Sequence, residues 1–253
     1  MLATQNQYFA TLPASLQLLW EKRLTLKEYA KGELIDLSSP NGYVYFPITA
    51  VAAQYIVSPD GDKTLLRFSG RNTALGLGGA GVTMPFDYHG VWCCDGYAFT
   101  MPKAVVIAAL YKPSYQKSFI DYSQISIERM SLMMHCAAAH TLRQRLARLL
   151  LDVYVAQGAD IDDIRLTHED MGRFLLARRE TVSTLVGKWI AQQVVTSTRG
   201  RIHIHHLEGL RHIACSCHAN TNLHLARALS LWRSHEWNTN NAAPEIFRPK
   251  VLE

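Results

Sequence analysis

The feature that most constrains this chain is a change of hydrophobic period near residue 114. Before it, residues 34–37, 43–46, 51–57, 64–68, 91–94 and 97–101 form short runs rich in β-branched and aromatic side chains. Turn signals separate them: Ser38-Ser39-Pro40-Asn41-Gly42, Pro59-Asp60-Gly61-Asp62 and Asp95-Gly96. Strands this short and this closely spaced predict a compact antiparallel roll or barrel rather than alternating strands and helices. A short helix over residues 14–24 precedes them. The run Gly76-Leu77-Gly78-Gly79-Ala80-Gly81 lacks the Lys-Ser/Thr that a phosphate-cradling P-loop requires.

Past residue 114 the period becomes helical. Ile120, Ser123, Ile127, Met130, Met134 and Ala137 recur at alternating steps of three and four, as a heptad seam does. Two readings stay open: a helix packed on its own domain, or a dimer seam. A second helix has Leu142, Leu146, Leu149, Leu150 and Val153 on one face and ends near Gly158, and Asp160-Ile161-Asp162-Asp163 reads as a solvated connection. The fold class predicted is α+β.

Thr167 is a good N-cap, and Asp170 three residues on completes a capping box for a helix with Met171, Phe174 and Leu175 on its apolar face. After a turn around Leu176-Ala177-Arg178, Val182, Leu185, Val186 and Trp189 make one buried stripe of a second helix. Arg179, Glu180, Ser183, Thr184, Gly187 and Lys188 fall away from that stripe. Residues 194–198 and 201–205, joined by Arg199-Gly200, read as a hairpin. Two short helices followed by a hairpin with basic residues at its tip are the parts of a winged helix-turn-helix, whose second helix enters a DNA major groove. An Arg fork matches guanine O6 and N7, and a Glu accepts from a cytosine amine.

Charge agrees with this. The 253 residues carry 26 Lys+Arg and 21 Asp+Glu, a net +5. Residues 1–110 hold eight of each sign, whereas 166–212 hold seven basic against four acidic. A local excess of that kind suits a polyanionic partner.

The segments Leu166-Thr167-His168-Glu169-Asp170-Met171, Arg179-Glu180-Thr181-Val182-Ser183, Arg199-Gly200-Arg201-Ile202-His203-Ile204 and Leu207-Glu208-Gly209-Leu210 resemble the Crp/Fnr transcription regulators. Val44-Tyr45-Phe46-Pro47, through Asp60-Gly61 to Gly70-Arg71, is similar to the β-roll of that family's sensor domain. The resemblance spans roughly residues 8–220. It implies a sensor β-roll over 1–113 with a cyclic-nucleotide-binding-like fold, a dimerisation helix over 114–138, a winged helix-turn-helix over 139–220, and a C-terminal helix and mobile tail over 221–253. It also implies a homodimer on a palindromic operator in double-stranded DNA, and RNA polymerase as a further partner.

By motif position Thr167, Arg178, Arg179, Glu180, Ser183, Thr184, Lys188, Arg199 and Arg201 contact DNA, while Ile120, Ile127, Met130 and Met134 line the dimer interface. Thr184 stands where many members carry a second base-reading Arg. Leu176 and Gln193 stand at usual glycines, where a left-handed backbone costs about 1–2 kcal/mol.

No cofactor and no metal ligand set is expected. His203, His205, His206, Cys215, Cys217 and His218 are dense in donor atoms, but Cys-x-Cys-His lacks the paired Cys-x-x-Cys spacing of structural zinc sites. Ala214-Cys215-Ser216-Cys217 is similar to the Cys-acid-Cys tail of one subgroup, with Ser216 in place of the acid. The family's iron–sulfur members carry cysteines near the N-terminus, whereas the first one here is Cys93.

Cyclic-nucleotide-binding relatives hold the phosphate with a Gly-Glu pair and a downstream Arg. No Arg occurs here between Arg71 and Met101, and Asp87 would repel a phosphate. Tyr43, Tyr45 and Phe46 are expected in the core. The start of the chain shows no export signal and no run is long enough to span a membrane, so a cytoplasmic protein with reduced thiols is expected.

A non-enzyme is expected. Residues 34–101 contain only His89, too few histidines for a cupin-type metal site, and no nucleophile motif such as Gly-x-Ser-x-Gly is present. The competing reading is a small-molecule-binding or metal-binding β-roll protein whose winged helix serves protein interaction.

Overall fold

A computed structural model describes residues 2–61, 63–77, 87–158 and 161–219. The glycine run from Gly78, the stretch through Phe86, and the C-terminal helix and tail expected over 221–253 lie outside the described residues. Two 3-10 turns (Leu2–Gln5, Phe9–Thr11) lead into α1 (Ala14–Glu21). Seven strands follow: β1 (Thr25–Tyr29), β2 (Leu34–Asp36), β3 (Tyr43–Pro47), β4 (Ala52–Val57), β5 (Lys63–Ser69), β6 (Asp87–Trp92) and β7 (Gly96–Pro102). They form two antiparallel sheets, β1-β7-β3 and β2-β6-β4-β5, so the expected roll is present.

The Pro59-Asp60-Gly61 turn closes the β4–β5 hairpin, pairing Val57 with Lys63, and Gly61 takes the positive φ of 87° that this turn needs. One side of the roll buries Phe9, Trp20 and Phe46 together. The other stacks Tyr29 on Trp92 with ring centroids 4.7 Å apart.

Strand β1 is absent from the sequence reading. Its burial pattern is exposed at four of five positions, so no hydrophobic alternation marks it, and pairing with β7 alone fixes it. Tyr43 also departs from expectation. It is exposed, with the Lys27 ammonium 5.4 Å from its ring, whereas Phe46 is buried as expected.

Helix α2 (Lys103–Leu110) follows directly from β7. The Lys103 ammonium is fully buried and donates to the carbonyls of Leu37 (2.7 Å) and Ser39 (2.8 Å), tying the roll's 37–39 turn to this helix. Helix α3 (Pro113–Ala139) starts with Pro at its first turn, where the missing N–H costs nothing. Tyr115, Phe119 and Tyr122 on α3 are buried against the roll. The heptad stripe points the other way: Ile120, Ile127 and Met134 are 63, 60 and 72% exposed, and Met130 is half-buried. Of the two readings, packing on its own domain therefore fails for this face.

Two guanidiniums sit where the roll meets α3. Arg67 of β5 donates to Ser126 Oγ (3.0 Å) and Tyr122 Oη (3.4 Å). The pKa of Arg129 is pulled down to about 10, by burial and then by the neighbouring Arg67 charge. Arg67 Nε and Arg129 Nη1 have no hydrogen-bond partner among the described residues.

After α3 the backbone is extended at His140, and Thr141 caps α4 (Leu142–Gln157) through a capping box with Gln144. The remaining elements are β8 (Asp163–Ile164), α5 (His168–Leu175), α6 (Arg179–Ala191), β9 (Val195–Thr198), β10 (Arg201–Ile204) and α7 (Leu207–Ile213). The strands form a sheet in the order β8-β10-β9. Asp163, the last residue of the expected solvated connection, is exposed and opens β8, whose next residue, Ile164, is buried opposite Ile202.

The C-terminal half does not stand apart from the roll. Val51, Phe68 and Cys93 of the roll share one core with α4, α5 and α6. Phe68 meets Phe174 edge to face at 5.4 Å, and Lys31–Asp170 and Arg165–Asp95 pair at 3.2 and 3.1 Å. A Cβ at Gly70 would overlap the Ala156 carbonyl, which accepts from Arg71 N at 3.1 Å, so only glycine permits this approach of roll and α4.

Candidate nucleic-acid interface

The surface in question is built by α5, α6 and the β9–β10 hairpin. Thr167 Oγ1 accepts from Asp170 N (3.0 Å), and Asp170 Oδ2 accepts from Thr167 N (3.0 Å), the capping box read from the sequence. Burial works to raise the Asp170 carboxyl, but the hydrogen bonds from Thr167 and the charge of Lys31 prevail and hold it below the usual carboxylate range. Gly172 lets the turn close, since a Cβ there would lie 2.7 Å from the Ala177 carbonyl oxygen.

Leu176 takes the left-handed conformation at φ 51°, and Gln193 and Arg199 also have positive φ, 57° and 25°. Leu176 and Gln193 thus adopt the left-handed backbone that a glycine would take without strain.

Helix α6 buries Val182, Val186 and Trp189 and turns its other face outward. Arg178, Arg179, Glu180, Thr184 and Lys188 are exposed, as are Arg199 and Arg201 on the hairpin, while Thr167 and Ser183 are half-buried. The five basic side chains make no hydrogen bond or ion pair among the described residues, so they face solvent without internal neutralisation.

The hydroxyls differ. Thr184 Oγ1 donates to the Glu180 carbonyl (2.9 Å) and Ser183 Oγ sits 2.8 Å from His168 Nδ1. His168 Nε2 lies 3.2 Å from Ser197 Oγ, so one imidazole links α5, α6 and β9. Burial, and then the Arg179 charge, lowers its pKa below the ordinary 6.5. This role went unread in the sequence, where His168 is only the residue after an N-cap.

The cysteines and histidines of the C-terminal segment sort into two sets. His203 pairs with Asp163 (2.8 Å), His205 contacts Thr196 Oγ1 (3.0 Å), His206 caps α7 through Gly209 N (2.7 Å), and His218 meets Asp152 (2.8 Å). Cys215 and Cys217 instead reach Cys136 and His140 at the end of α3, about 75 residues away in sequence and invisible to a local spacing rule.

An antiparallel β-roll, a long helix and a winged helix-turn-helix follow one another in this order. Residues 144–213 match the Crp-like helix-turn-helix domain family. The fold of the chain matches a protein from Eubacterium rectale assigned to the Crp/Fnr transcriptional regulators, with a TM-score of 0.62 and 16% identity over 81% of this chain and 96% of that one. FixK2 from Bradyrhizobium japonicum matches at 0.61 and 18% over 76% and 98%. A Crp/Fnr-family transcriptional regulator from Thermus thermophilus matches at 0.59 and 17% over 75% and 98%. No curated protein matches the chain in sequence. The helix-turn-helix is thus of the Crp-like type, and the fold of the chain is similar to that of these solved regulators. Among the described residues no helix is long and apolar enough to cross a membrane.

Proposed function

We propose that the chain is a cytoplasmic, non-enzymatic transcriptional regulator that binds a palindromic operator as a homodimer, with α6 in the major groove. The observation that carries the reading is the outward face of α6, where Arg179 and Lys188 are exposed and Arg179 lines one concavity with Arg199 of the hairpin. Arg179 and Glu180 read base edges; Arg178, Lys188, Arg199 and Arg201 neutralise phosphates, which fixes register and gives a salt-dependent affinity. Thr167 and Ser183 hold the helices in place, since both hydroxyls are already bonded, and Thr184 meets DNA through its methyl face.

One recognition helix covers only a few base pairs, and two-fold symmetry doubles the site. The exposed stripe Ile120, Ile127, Met130 and Met134 supports the symmetric partner, because an apolar helix face this long does not stay in water in a stable monomer. RNA polymerase would be contacted by the DNA-bound dimer.

Selection of bound DNA from a random library tests this directly. Enrichment of an interrupted inverted repeat, with binding that weakens steeply in salt, is the expected result. No enrichment, or capture of protein partners by a winged helix indifferent to DNA, overturns it in favour of an interaction module.

A further inference from the structure

Four donor side chains that no sequence motif unites converge at the joint between α3 and α4. Cys136 lies in the last turn of α3, and His140 is that helix's C-cap, four residues on and on the same side. Cys215 and Cys217 lie just past α7, where the chain turns back at Ser216. The donor atoms of all four lie within 4.8 Å of one another. Cys136 and Cys215 have their sulfurs 3.4 Å apart, and Cys217 Sγ is 3.7 Å from His140 Nδ1. A tetrahedral zinc ion, with Zn–S about 2.3 Å and Zn–N about 2.0 Å, spaces its ligand atoms roughly 3.5–3.8 Å apart. The two separations given are close to that spacing, and the remaining donor pairs lie within 4.8 Å.

We propose that Cys136, His140, Cys215 and Cys217 bind a single Zn²⁺-class ion and thereby clamp the end of the long helix to the C-terminal edge of the DNA-binding domain. Donor chemistry selects the ion: three sulfurs and one imidazole with no oxygen suit zinc and exclude magnesium or calcium. A multi-iron cluster would need the sulfurs spread around a larger body than this gap.

Burial agrees as well. The three cysteines form a buried cluster of their own. Three thiolates and an imidazole around a dication carry a net charge of minus one. The Arg148 side chain, 3% exposed, stands beside Cys136 to offset it. Arg148 is in turn held by Asp152 (3.2 Å), which also receives His218 (2.8 Å). Such an outer layer of hydrogen-bonded groups is what orients metal ligands.

A disulfide is the competing use of the cluster. Its sulfurs would lie about 2.05 Å apart, against 3.4 Å here, and it would leave Cys217 and His140 without purpose.

The test uses the full chain, stripped with chelator under reducing conditions and titrated with Co²⁺ as probe. The expected result is one Co²⁺ per chain, with the visible bands of tetrahedral cobalt and a near-ultraviolet thiolate charge-transfer band, both bleached by one equivalent of Zn²⁺. His140→Cys should retain one ion and shift the spectrum toward four-sulfur coordination. Cys215→Ser with Cys217→Ser should weaken binding by more than about 100-fold, beyond what loss of an outer-layer partner produces. Zinc should raise the melting temperature of the parent chain and not of the double variant. If the double variant does not fold, the His140→Cys spectrum still decides. A pale octahedral spectrum, less than one ion per chain, a His140→Cys spectrum identical to the parent, or a Cys136–Cys215 disulfide found by alkylation and mass spectrometry in metal-treated protein would each overturn the proposal. The site stands independently of whether α6 reads DNA.

Discussion

Arg179 and Arg199 are both exposed, and the proposed docking gives them different roles. Arg179 opens the helix proposed to enter the groove, so Arg179→Ala should cost about 1–3 kcal/mol on the selected operator and relax preference at one base pair per half-site. Arg199→Ala should weaken specific and random DNA alike and flatten the dependence of affinity on salt, because it removes a phosphate contact. Gel shifts on both DNAs across a salt series distinguish the two. An equal loss on both DNAs for Arg179→Ala would move that residue to the phosphate class. Leu176 is a second residue whose behaviour follows from its backbone. It is 72% exposed at φ 51°, so Leu176→Gly forfeits little packing and relieves the left-handed penalty, with part of the gain returned as chain entropy. A net stabilisation of about 0.5–1 kcal/mol by denaturant melting is expected. These basic and turn residues were legible in the sequence because a helical stripe leaves the remaining face outward. His168 was not, because its partners Ser183 and Ser197 lie 15 and 29 residues on. Its depressed pKa sets the sign of a pH effect. Below about pH 6.5 the unfolded chain takes up a proton that the folded imidazole resists, so stability falls as pH drops through that value and is unaffected above it. His168→Gln, melted beside the parent at roughly pH 5 and pH 7.5, should lose that part of the acid sensitivity; an identical shift in both would place the sensitivity elsewhere.

Helix α3 joins the three functional parts. One side carries Tyr115, Phe119 and Tyr122 into the roll, the opposite side exposes Ile120, Ile127 and Met134, and its last turn brings Cys136 to the C-terminal cysteines. Heptad spacing alone could not say which side met its own chain, since both sides are apolar. The structure resolves it, because the aromatic side fills the roll and leaves the aliphatic side in water. Replacing Ile127 and Met130 by Glu should therefore leave the monomer fold intact, as seen by circular dichroism. In a dimer the same change buries like charges against each other, which is costly. Sedimentation should show monomers, with operator affinity lost together with the second half-site. A variant that still sediments as a dimer would locate the seam elsewhere. The elements missed in the sequence were missed for one reason. Strand β1 is exposed at four positions and β8 is two residues long, so neither shows a period; each exists because a neighbouring strand, β7 or β10, offers it hydrogen bonds. Helix α2 was hidden differently: its apolar run from Ala104 to Leu110 fits a buried helix or strand equally well.

At the scale of the whole molecule, the roll and the DNA-binding domain share a core through Phe68 and Phe174, and α3 contacts both. Which anion the roll could hold is constrained by its arginines. A cyclic phosphate buried in a roll needs a guanidinium whose fork meets two oxygens, to offset the cost of burying an anion. No arginine lies between Arg71 and Met101. Arg67 is close in sequence, but its Nη atoms are spent on Ser126 and Tyr122, bracing the roll against α3. Freeing it would break that brace and leave the Tyr122 hydroxyl with only its bonds to the Ala74 backbone. Calorimetry with cyclic AMP and cyclic GMP should therefore show no binding in the micromolar range, and neither nucleotide should change the affinity for the selected operator. Micromolar binding that also tightens DNA affinity would reverse the conclusion. It would mean that Arg67 Nε and Arg129 Nη1, both without partners at the roll–α3 junction, receive the phosphate instead. Arg67→Gln and Arg129→Gln would then abolish the nucleotide response, whereas in an unresponsive roll they change stability alone.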